Sequence, residues 1–312
     1  MANKIDLEKN KVFAVVVSFN SDIQHLHEQL KRLMEQVEHI VWVDNCSSVF
    51  LGGIFGEVIP EKIHTIWLDQ NFGIAVAQNI GIKWAMEHGA SHILLMDDDS
   101  LPDLNMVENL FNALITNPEA AAAGAFHFDP RREGEGMPFH RFKKGKFHKL
   151  TCFHHNQLLE VDDVIASGCL IPVEVLKKVG LMREDFFIDW VDTEWCWRAR
   201  ANGYKIYGVC SALLEHSLGD KVVKILGREI PVHAPWRHYY QSRNLVLTLK
   251  SSDISLVFRI FVFFRQMKRF LVFSILMKNG KSYFRMWLMG LLDGILGKSG
   301  MVEFTEDGGK II

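Results

Sequence analysis

Strand-like and helix-like segments alternate through the first 126 residues, and this alternation constrains the fold more than any other feature of the sequence. Short apolar runs typical of buried strands lie at 12–17, 40–43, 63–68, 92–96 and 120–126. Apolar residues recur at helical spacing at 26–37, 74–88 and 102–115. Such a pattern predicts an α/β fold with a mainly parallel central sheet and right-handed connections.

The strand at 92–96 stops abruptly in three consecutive carboxylates, Asp97, Asp98 and Asp99. In open α/β sheets, ligands bind beyond the carboxyl ends of the strands. Clustered carboxylate oxygens suit hard cations such as Mg²⁺ or Mn²⁺, which in turn bind phosphates. The run therefore predicts a site for a metal-bound phosphoester, with a solvated acidic turn as the alternative.

Other features exclude several classes of protein. The first strand is followed by Val17-Ser18-Phe19-Asn20, without the glycine-rich turn of a dinucleotide-binding Rossmann domain. A formal charge of −2 gives no indication of nucleic-acid binding. The five cysteines are scattered and never form a C-x-x-C pair, so we expect neither a disulfide framework nor a zinc site. A polar amino terminus without an apolar signal stretch, together with these cysteines, favours the reducing cytoplasm.

The second half begins with a change of composition. Residues 129–149 are rich in Arg, Lys, His and Gly and predict an irregular, mobile loop of the kind that covers active sites. A strand at 158–164, a tight turn at 166–169 and a helix at 173–179 follow. A further helix, which contains Asp192 and Glu194, ends near Gly203 and leads into a strand at 205–210.

Two acids lie at the start of that helix. Asp192 and Glu194 are about 200° apart around a regular helix, so both cannot face one ligand. One of them is then a functional acid, although an acid in the first turn can also serve only as a partner for the helix dipole.

Several motifs together resemble the inverting family 2 glycosyltransferases. They are Val17 to Asn20, Val43-Asp44-Asn45, Asn71 to Gly81, the acid run and Phe187 to Ala199. Leu213 to Asp220 and Arg237 to Asn244 resemble the dTDP-rhamnosyltransferase branch of bacterial O-antigen and capsule assembly. The resemblance covers about residues 12–250. It implies a GT-A fold in residues 1–250, with a nucleotide-binding half at 1–126 and an acceptor-binding half at 127–250.

The resemblance also implies site residues. Asp192 matches the catalytic base, and Asp97, Asp99 and His216 match the ligands of Mg²⁺ or Mn²⁺. Nucleotide contacts are expected at Val17, Ser18, Asn20, Asp44, Asn71, Gly73, Asn79 and Asp97. Contacts with the acceptor or the donor sugar are expected at Ser167, Gly168, Trp190, Glu194, Arg198, Tyr240 and Arg243, with a helical ion pair as the alternative for Arg198.

Residues 251–312 form a separate C-terminal segment. From 255 to 298 it is rich in Phe, Leu, Met and Trp, seven basic residues interrupt it before Asp293, and Asp293 is its only acid. No apolar run reaches the ~20 residues that a membrane-spanning helix needs. We expect two amphipathic helices on an anionic membrane surface, with packing against a partner subunit, such as a second copy of the chain, or a helical cap on the core as alternatives.

These observations favour metal-dependent transfer of L-rhamnose from dTDP-rhamnose to a hydroxyl of a lipid-linked or polysaccharide acceptor, at the cytoplasmic face of the cell membrane. Galactofuranose from its UDP donor is the second choice. A sugar nucleotidyltransferase would normally show a Gly- and Arg/Lys-rich loop after the first strand, which Ser18 to Ser21 lacks. A non-catalytic binding protein would have little use for Asp97, Asp99, Asp192 and His216 in one chain.

Overall fold

The computed structural model describes residues 10–49, 52–56, 58–129, 136–216, 221–225, 228–250, 256–277, 279–302 and 304. Some features singled out in the sequence lie outside these residues. They are the polar amino terminus, residues 130–135 of the expected loop, residues 217–220 of the motif after His216, and Lys278.

The described chain contains strands β1 to β13. They are β1 Val12–Ser18, β2 His39–Asp44, β3 Ile63–Trp67, β4 His92–Asp97, β5 Ser100–Pro102, β6 Ala120–Phe128, β7 Phe139–Lys143, β8 Lys146–Leu150, β9 Leu158–Val161, β10 Cys169–Pro172, β11 Lys205–His216, β12 Lys221–Ile225 and β13 Arg228–Val232. The helices are α1 Ile23–Met34, α2 Ile74–Glu87, α3 Met106–Thr116, α4 Val173–Val179, α5 Val191–Ala201, α6 Pro235–Leu249, α7 Leu256–Leu276 and α8 Gly280–Ile295.

A nine-stranded sheet forms the centre of the fold, in the order β3-β2-β1-β4-β10-β6-β11-β5, with β9 also paired to β11. Strands β3, β2, β1, β4, β6 and β11 share one direction, and β10 runs antiparallel between β4 and β6. The prediction of an α/β fold with a mainly parallel sheet is confirmed. The carboxyl ends of β1, β2, β4, β6 and β11 therefore lie along one edge.

Side chains of β1 alternate between the two faces of the sheet, and both faces are covered. Phe13, Val15 and Val17 belong to one core cluster with α2, α4 and α5, and Val12 and Val16 to another with α1 and α3. Burial on both faces explains why β1 is an uninterrupted apolar run rather than an alternating one.

The expectation of an irregular loop over residues 129–149 is wrong for its second part. Strands β7 and β8 pair antiparallel as a hairpin. Lys144 and Gly145 between them have positive φ values of 53° and 73°, as two-residue hairpin turns require. The Phe142 and Phe147 rings pack together at 5.3 Å. The hairpin was missed because its exposed positions carry most of the charge, which masks the apolar alternation.

The expectation that the cysteines stay unpaired is wrong for two of them. Cys152 and Cys210 form a disulfide across a Cα–Cα distance of 5.6 Å, although they are 58 residues apart in sequence. The pairing of β9 with β11 brings them together, and the Cys210 amide donates to the Gln157 carbonyl beside β9 at 3.0 Å. Sequence spacing carries no sign of such a contact between distant strands.

The C-terminal helices contact the rest of the fold. Helix α8 packs closely on α6: a Cβ at Gly290 would lie 2.2 Å from the Tyr239 carbonyl, and the Ser242 hydroxyl donates to the Trp287 carbonyl at 2.9 Å. Helix α7 places Phe258 against Phe142 of the hairpin, with the ring centroids 4.9 Å apart. No helix in the described part of the chain has the length and apolarity that crossing a membrane requires.

Candidate active site

The acid run lies at the carboxyl end of β4, and β11 brings His216 to the same place. The β5–β11 pairing sets His216 opposite Ser100, whose hydroxyl lies 2.8 Å from His216 Nδ1. The same nitrogen is 3.2 Å from Asp99 Oδ1. The Asp99 side chain is 55% exposed, whereas that of His216 is 8% exposed. Of the three residues that the resemblance implied as metal ligands, the structure therefore brings Asp99 and His216 into contact and places Asp97 where its charge interacts with both.

Ionisable side chains are concentrated at the carboxyl end of β4. Burial, with the charge of Asp99 as a second cause, raises the pKa of Asp97 to about 7. Burial alone would lower the pKa of His216, but the hydrogen bond and charge of Asp99 raise it. Burial alone would likewise raise the pKa of Asp99, but the hydrogen bond and charge of His216 lower it. The acids thus stabilise positive charge beside them.

The chemistry of these side chains suits a divalent cation that also binds a ligand, but their arrangement does not form a metal site by itself. Within the described residues, no group of three His, Cys, Asp or Glu side chains could hold a metal ion. Mg²⁺ is usually held by one or two carboxylates together with substrate phosphates, and imidazole can join carboxylates on Mn²⁺. Asp98 is occupied differently, because its carboxylate accepts hydrogen bonds from the Phe19 amide at 3.0 Å and from the Ser21 hydroxyl.

Asp192 lies in the first turn of α5, at a cleft of about 280 Å³. Its Oδ1 accepts from the Thr193 amide at 2.7 Å and its Oδ2 from the Ala166 amide at 3.3 Å. Burial raises the pKa of Asp192, and the two amides lower it in part. A carboxylate with a raised pKa is a stronger proton acceptor than a solvated one.

The loop before α5 has a strained backbone. Phe187, Asp189 and Trp190 all have positive φ values, of 65°, 64° and 70°. This region of φ/ψ space disfavours residues with a Cβ, and such residues cluster at functional sites. The loop carries Trp190 and Asp189 into the lining of the cleft and leads into α5 at Val191, one residue before Asp192. Its shape therefore determines where the Asp192 carboxylate points.

Helix α6 holds this loop in place. The Asn244 side-chain amide donates to the carbonyls of Phe186, Ile188 and Asp189 at 2.8 to 3.0 Å. Arg237 binds both carboxylate oxygens of Asp189, at 3.2 and 2.8 Å. These contacts compensate for the strain, so α6 positions the start of α5 and with it Asp192.

Arg243 and Tyr240, expected to contact a sugar, are buried parts of the same support. The Arg243 guanidinium donates to the carbonyls of Phe186 at 2.9 Å and Gly300 at 2.5 Å. The Tyr240 hydroxyl donates to the Val302 carbonyl at 3.0 Å. Since their polar groups bind backbone inside the protein, we reassign both residues to positioning the α5 loop.

Glu194 and Arg198 form the ion pair that was the alternative interpretation. Arg198 Nε and Nη2 each lie 3.0 Å from a Glu194 carboxylate oxygen. Arg198 also donates to the carbonyls of Val179 and Leu181, which fixes α5 to the end of α4. The pair lies on the other side of α5 from Asp192, as the helical spacing predicts, and we no longer expect it to contact the acceptor.

The expected nucleotide-binding residues of the first two strands are adjacent. Ser18 and Asp44 are register partners at the ends of β1 and β2. Asp44 accepts from the Ser18 hydroxyl at 2.8 Å and from the Ser47 hydroxyl and amide at 2.6 and 2.8 Å. Asn20 turns the chain with a φ of 54°, and Val17 is buried. Three accepted bonds leave a lone pair on the Asp44 carboxylate for a ligand.

The expected nucleotide-binding residues around α2 connect the two halves. Asn71 accepts from the Gly73 amide at 2.9 Å. A side chain at Gly73 would place its Cβ 2.4 Å from the Phe187 carbonyl, so only glycine permits this approach. Asn79 is buried and both donates to and accepts from the Met182 backbone, at 2.9 and 3.0 Å. Asn79 therefore holds α2 against the backbone at Met182.

Ser167 and Gly168 lie directly behind the acid run. The Ser167 hydroxyl accepts from the Asp97 amide at 3.1 Å and donates to the Ser100 hydroxyl at 2.9 Å. Gly168 has a φ of 77° and lets the chain pass close to Ala125. A side chain at position 168 would place its Cβ 2.7 Å from the Ala125 Cβ. Both residues fix Asp97 from inside the fold.

Four charged residues of the cleft were not assigned to it from the sequence: Asp163, Asp189, Arg265 and Arg269. Asp163 accepts from Trp197 Nε1 at 3.0 Å, and burial, followed by the charge of Asp192, raises its pKa to about 7. Arg265 and Arg269 of α7 line the same cleft. Their spacing of four residues was a signal for one helical face, but nothing in the sequence places that face over α5.

Comparison with known proteins identifies the family and agrees with the fold. The model of the family "Glycosyl transferase family 2" matches residues 13–180. The chain is 34% identical over 300 residues to the dTDP-rhamnosyl transferase RfbF of Shigella flexneri, covering 93% of this chain and 97% of that protein.

Solved structures share the fold at low sequence identity. GalNAc-T7 with UDP, GalNAc and Mn²⁺ superposes with a TM-score of 0.60 at 12% identity, covering 93% of this chain and 57% of that one. Residues 1–349 of S. aureus TarS in complex with UDP-GlcNAc superpose with a TM-score of 0.58 at 17% identity, covering 91% and 80%. These similarities confirm the GT-A fold predicted from the sequence.

Proposed function

The chain belongs to glycosyl transferase family 2, and we propose that it transfers L-rhamnose from dTDP-rhamnose to a hydroxyl of a lipid-linked saccharide or growing polysaccharide, with inversion at the anomeric carbon. The observation that carries this donor is the 34% identity to a dTDP-rhamnosyl transferase over nearly the whole of both chains. We place the reaction in the synthesis of a cell-surface glycan such as an O-antigen or a capsule.

In this proposal Asp192 is the catalytic base. An inverting displacement needs one group to take the proton of the acceptor hydroxyl as it attacks the anomeric carbon. Asp192 is supported because its carboxylate is oriented by two backbone amides, has a raised pKa and borders a cleft that can admit an acceptor. Trp190 would form part of the acceptor surface.

The diphosphate of the donor would bind at the acid run. Asp99 and His216 would hold Mg²⁺ or Mn²⁺, with Asp97 beside them. A divalent cation supplies charge stabilisation for a leaving diphosphate. At the neighbouring strand ends, Val17, Ser18, Asn20 and Asp44 would contact the nucleotide, and a carboxylate at Asp44 can accept the N3–H of thymine. The same contact would accept uracil, so Asp44 does not select the base.

A panel of donors tests the proposed substrate. In the presence of Mn²⁺, dTDP-rhamnose should raise the melting temperature more than UDP-galactofuranose, UDP-glucose or UDP-GlcNAc at equal concentration. A ligand at 100 times its Kd adds about 2.7 kcal/mol to the free energy of unfolding. A larger shift in melting temperature with any UDP-sugar would contradict the assignment of dTDP-rhamnose as the donor, but not the assignment as a glycosyltransferase. UDP-galactofuranose is the first alternative donor to examine.

We also propose that α7 and α8 hold the enzyme at the cytoplasmic face of the membrane. Phe264, Ile275 and Leu292 on these helices are 66%, 76% and 52% exposed. Exposed Lys281 and Arg285 add charge that attracts anionic lipids, at roughly 1 kcal/mol for each basic residue near the surface. The protein should sediment with anionic vesicles at low salt and in part at high salt. Protein left in the supernatant at low salt would refute membrane contact.

A further inference from the structure

Two arginines of α7 share the cleft with Asp192. Arg265 and Arg269 are four residues apart, so they lie on the same face of the helix. Both line the cleft that Asp192 and Trp190 border, and both side chains are solvent-accessible there. The cleft is thus lined by three carboxylates, those of Asp163, Asp189 and Asp192, and by two guanidinium groups of α7.

These arginines interact with acids of the cleft only at a longer range than an ion pair: the charge of Asp163 acts on Arg265 and that of Asp189 on Arg269. Arg265 lies over the Phe147 ring at 4.3 Å, and Arg269 lies 5.7 Å from the centre of the Phe273 ring. In the part of the chain that the structure describes, no ion pair or hydrogen bond engages either guanidinium. Arg237, in contrast, is bound to Asp189. Two neighbouring guanidinium groups that form no ion pair are suited to a phosphate, which they can bind through several hydrogen bonds at once.

The cleft is continuous with an apolar surface. A groove of about 510 Å³ on the outside of α7 is lined by Phe142, Val257, Ile260 and Phe264, and Arg265 borders both this groove and the cleft. Val257 and Phe264 are 67% and 66% exposed. Exposed apolar residues grouped along one face of a helix can form an interaction site.

We propose that Arg265 and Arg269 bind the phosphate of a lipid phosphate-linked saccharide, with the saccharide toward Asp192 and the lipid chain along the outer groove of α7. The order of features fits such a molecule from end to end: a carboxylate for the reacting hydroxyl, a cationic pair for the phosphate, and an apolar face for the hydrocarbon. This inference rests on the proposed function, because it names the acceptor class of the same site.

Binding of farnesyl phosphate to the full chain tests the inference, with farnesol and inorganic phosphate as the two partial probes. The tryptophans at 190 and 197 line the cleft, so their fluorescence can report binding, and isothermal titration measures it independently. The test variant is Arg265→Gln with Arg269→Gln. The matched control is Lys177→Gln with Lys178→Gln, which removes the same charge from exposed positions of α4 outside the cleft.

Farnesyl phosphate should bind the parent more tightly than either partial probe, and the Arg265/Arg269 variant should lose roughly 10- to 100-fold in affinity while the control keeps it. An equal loss of affinity in both variants would show that the effect depends only on the net charge of the protein. Binding of inorganic phosphate as tight as that of farnesyl phosphate would indicate a free-anion site, and equal binding of farnesol would indicate apolar contact alone. Each of these results, or no binding of farnesyl phosphate, would overturn the inference.

A parallel titration with dTDP and Mn²⁺ separates this inference from the proposed function. If both variants bind dTDP like the parent but the arginine pair has no effect on farnesyl phosphate, only the acceptor assignment fails. If the parent does not bind dTDP, the proposed function itself fails. Melting temperatures of the two variants should match that of the parent, because the substituted side chains are exposed.

Discussion

Replacing Asp192 with Asn should lower the rate of transfer by roughly 100- to 10 000-fold, the usual contribution of a general base. The amide keeps the shape of the side chain but cannot accept the proton of the acceptor hydroxyl. The affinity for dTDP with Mn²⁺ should stay nearly unchanged, because the acid run and the β1–β2 edge are not altered. The release of dTDP from dTDP-rhamnose measures turnover, and isothermal titration measures nucleotide binding.

The variant should remain folded. An Asn side chain can still accept from one of the Thr193 and Ala166 amides, and the other amide loses a partner at a cost of about 1–3 kcal/mol. Asp163→Asn is the matched control, since Asp163 is the other carboxylate of the cleft that has a raised pKa. If Asp192→Asn keeps a third of the parent rate and Asp163→Asn loses most of it, Asp163 is the base.

The pH profile gives an independent check on the same residue. Burial raises the pKa of Asp192, and only the ionised carboxylate can accept a proton. The parent rate should therefore rise as the pH increases through this raised pKa, and the residual rate of the Asn variant should lack that rise.

Replacing Asp99 or His216 with Ala should weaken the metal-supported binding of dTDP. We expect this affinity for dTDP to fall by at least roughly 10- to 100-fold, which is the usual loss when a group that hydrogen-bonds to a metal ligand is removed. Asp99→Ala should be the more severe change, because it removes a charged oxygen ligand. Titration of dTDP with and without Mn²⁺ measures the part of the affinity that depends on the metal.

Asp98→Asn is the control within the same acid run. The Asp98 carboxylate accepts from the Phe19 amide and the Ser21 hydroxyl, so its loss should affect stability and leave the metal-dependent part of dTDP binding intact. An unchanged metal-dependent affinity in the His216 variant would limit that residue to a structural role. An effect of Asp98→Asn equal to that of Asp99→Ala would show that the run acts through its total charge.

The local sequence pattern was sufficient to predict the first half of the fold. The apolar runs at β1, β2 and β4 predicted a parallel sheet, and the position of Asp97 to Asp99 after β4 placed the acids at its carboxyl edge. Pattern also predicted that Asp192 and Glu194 point to different sides of α5, because helical geometry alone decides this.

Contacts between distant segments could not be predicted in the same way. Nothing local indicates that Arg198 binds the carbonyls at the end of α4, that Arg243 supports the α5 loop, or that Cys152 meets Cys210. The same holds for Arg265, which looks from the sequence like a membrane-facing charge and lies beside the Asp192 cleft in the folded protein. Motif resemblance identified important positions, but only packing separated residues that face the cleft from residues that hold it.

A crystal structure of the Asp192→Asn variant with dTDP-rhamnose and Mn²⁺ tests the central claim most directly, since this variant should bind the donor without consuming it. We expect the diphosphate and the metal at Asp99 and His216, the thymine beside Asp44, and the anomeric carbon facing residue 192 across the cleft. A diphosphate bound away from the acid run, or a sugar whose anomeric carbon faces away from residue 192, would contradict the proposed site.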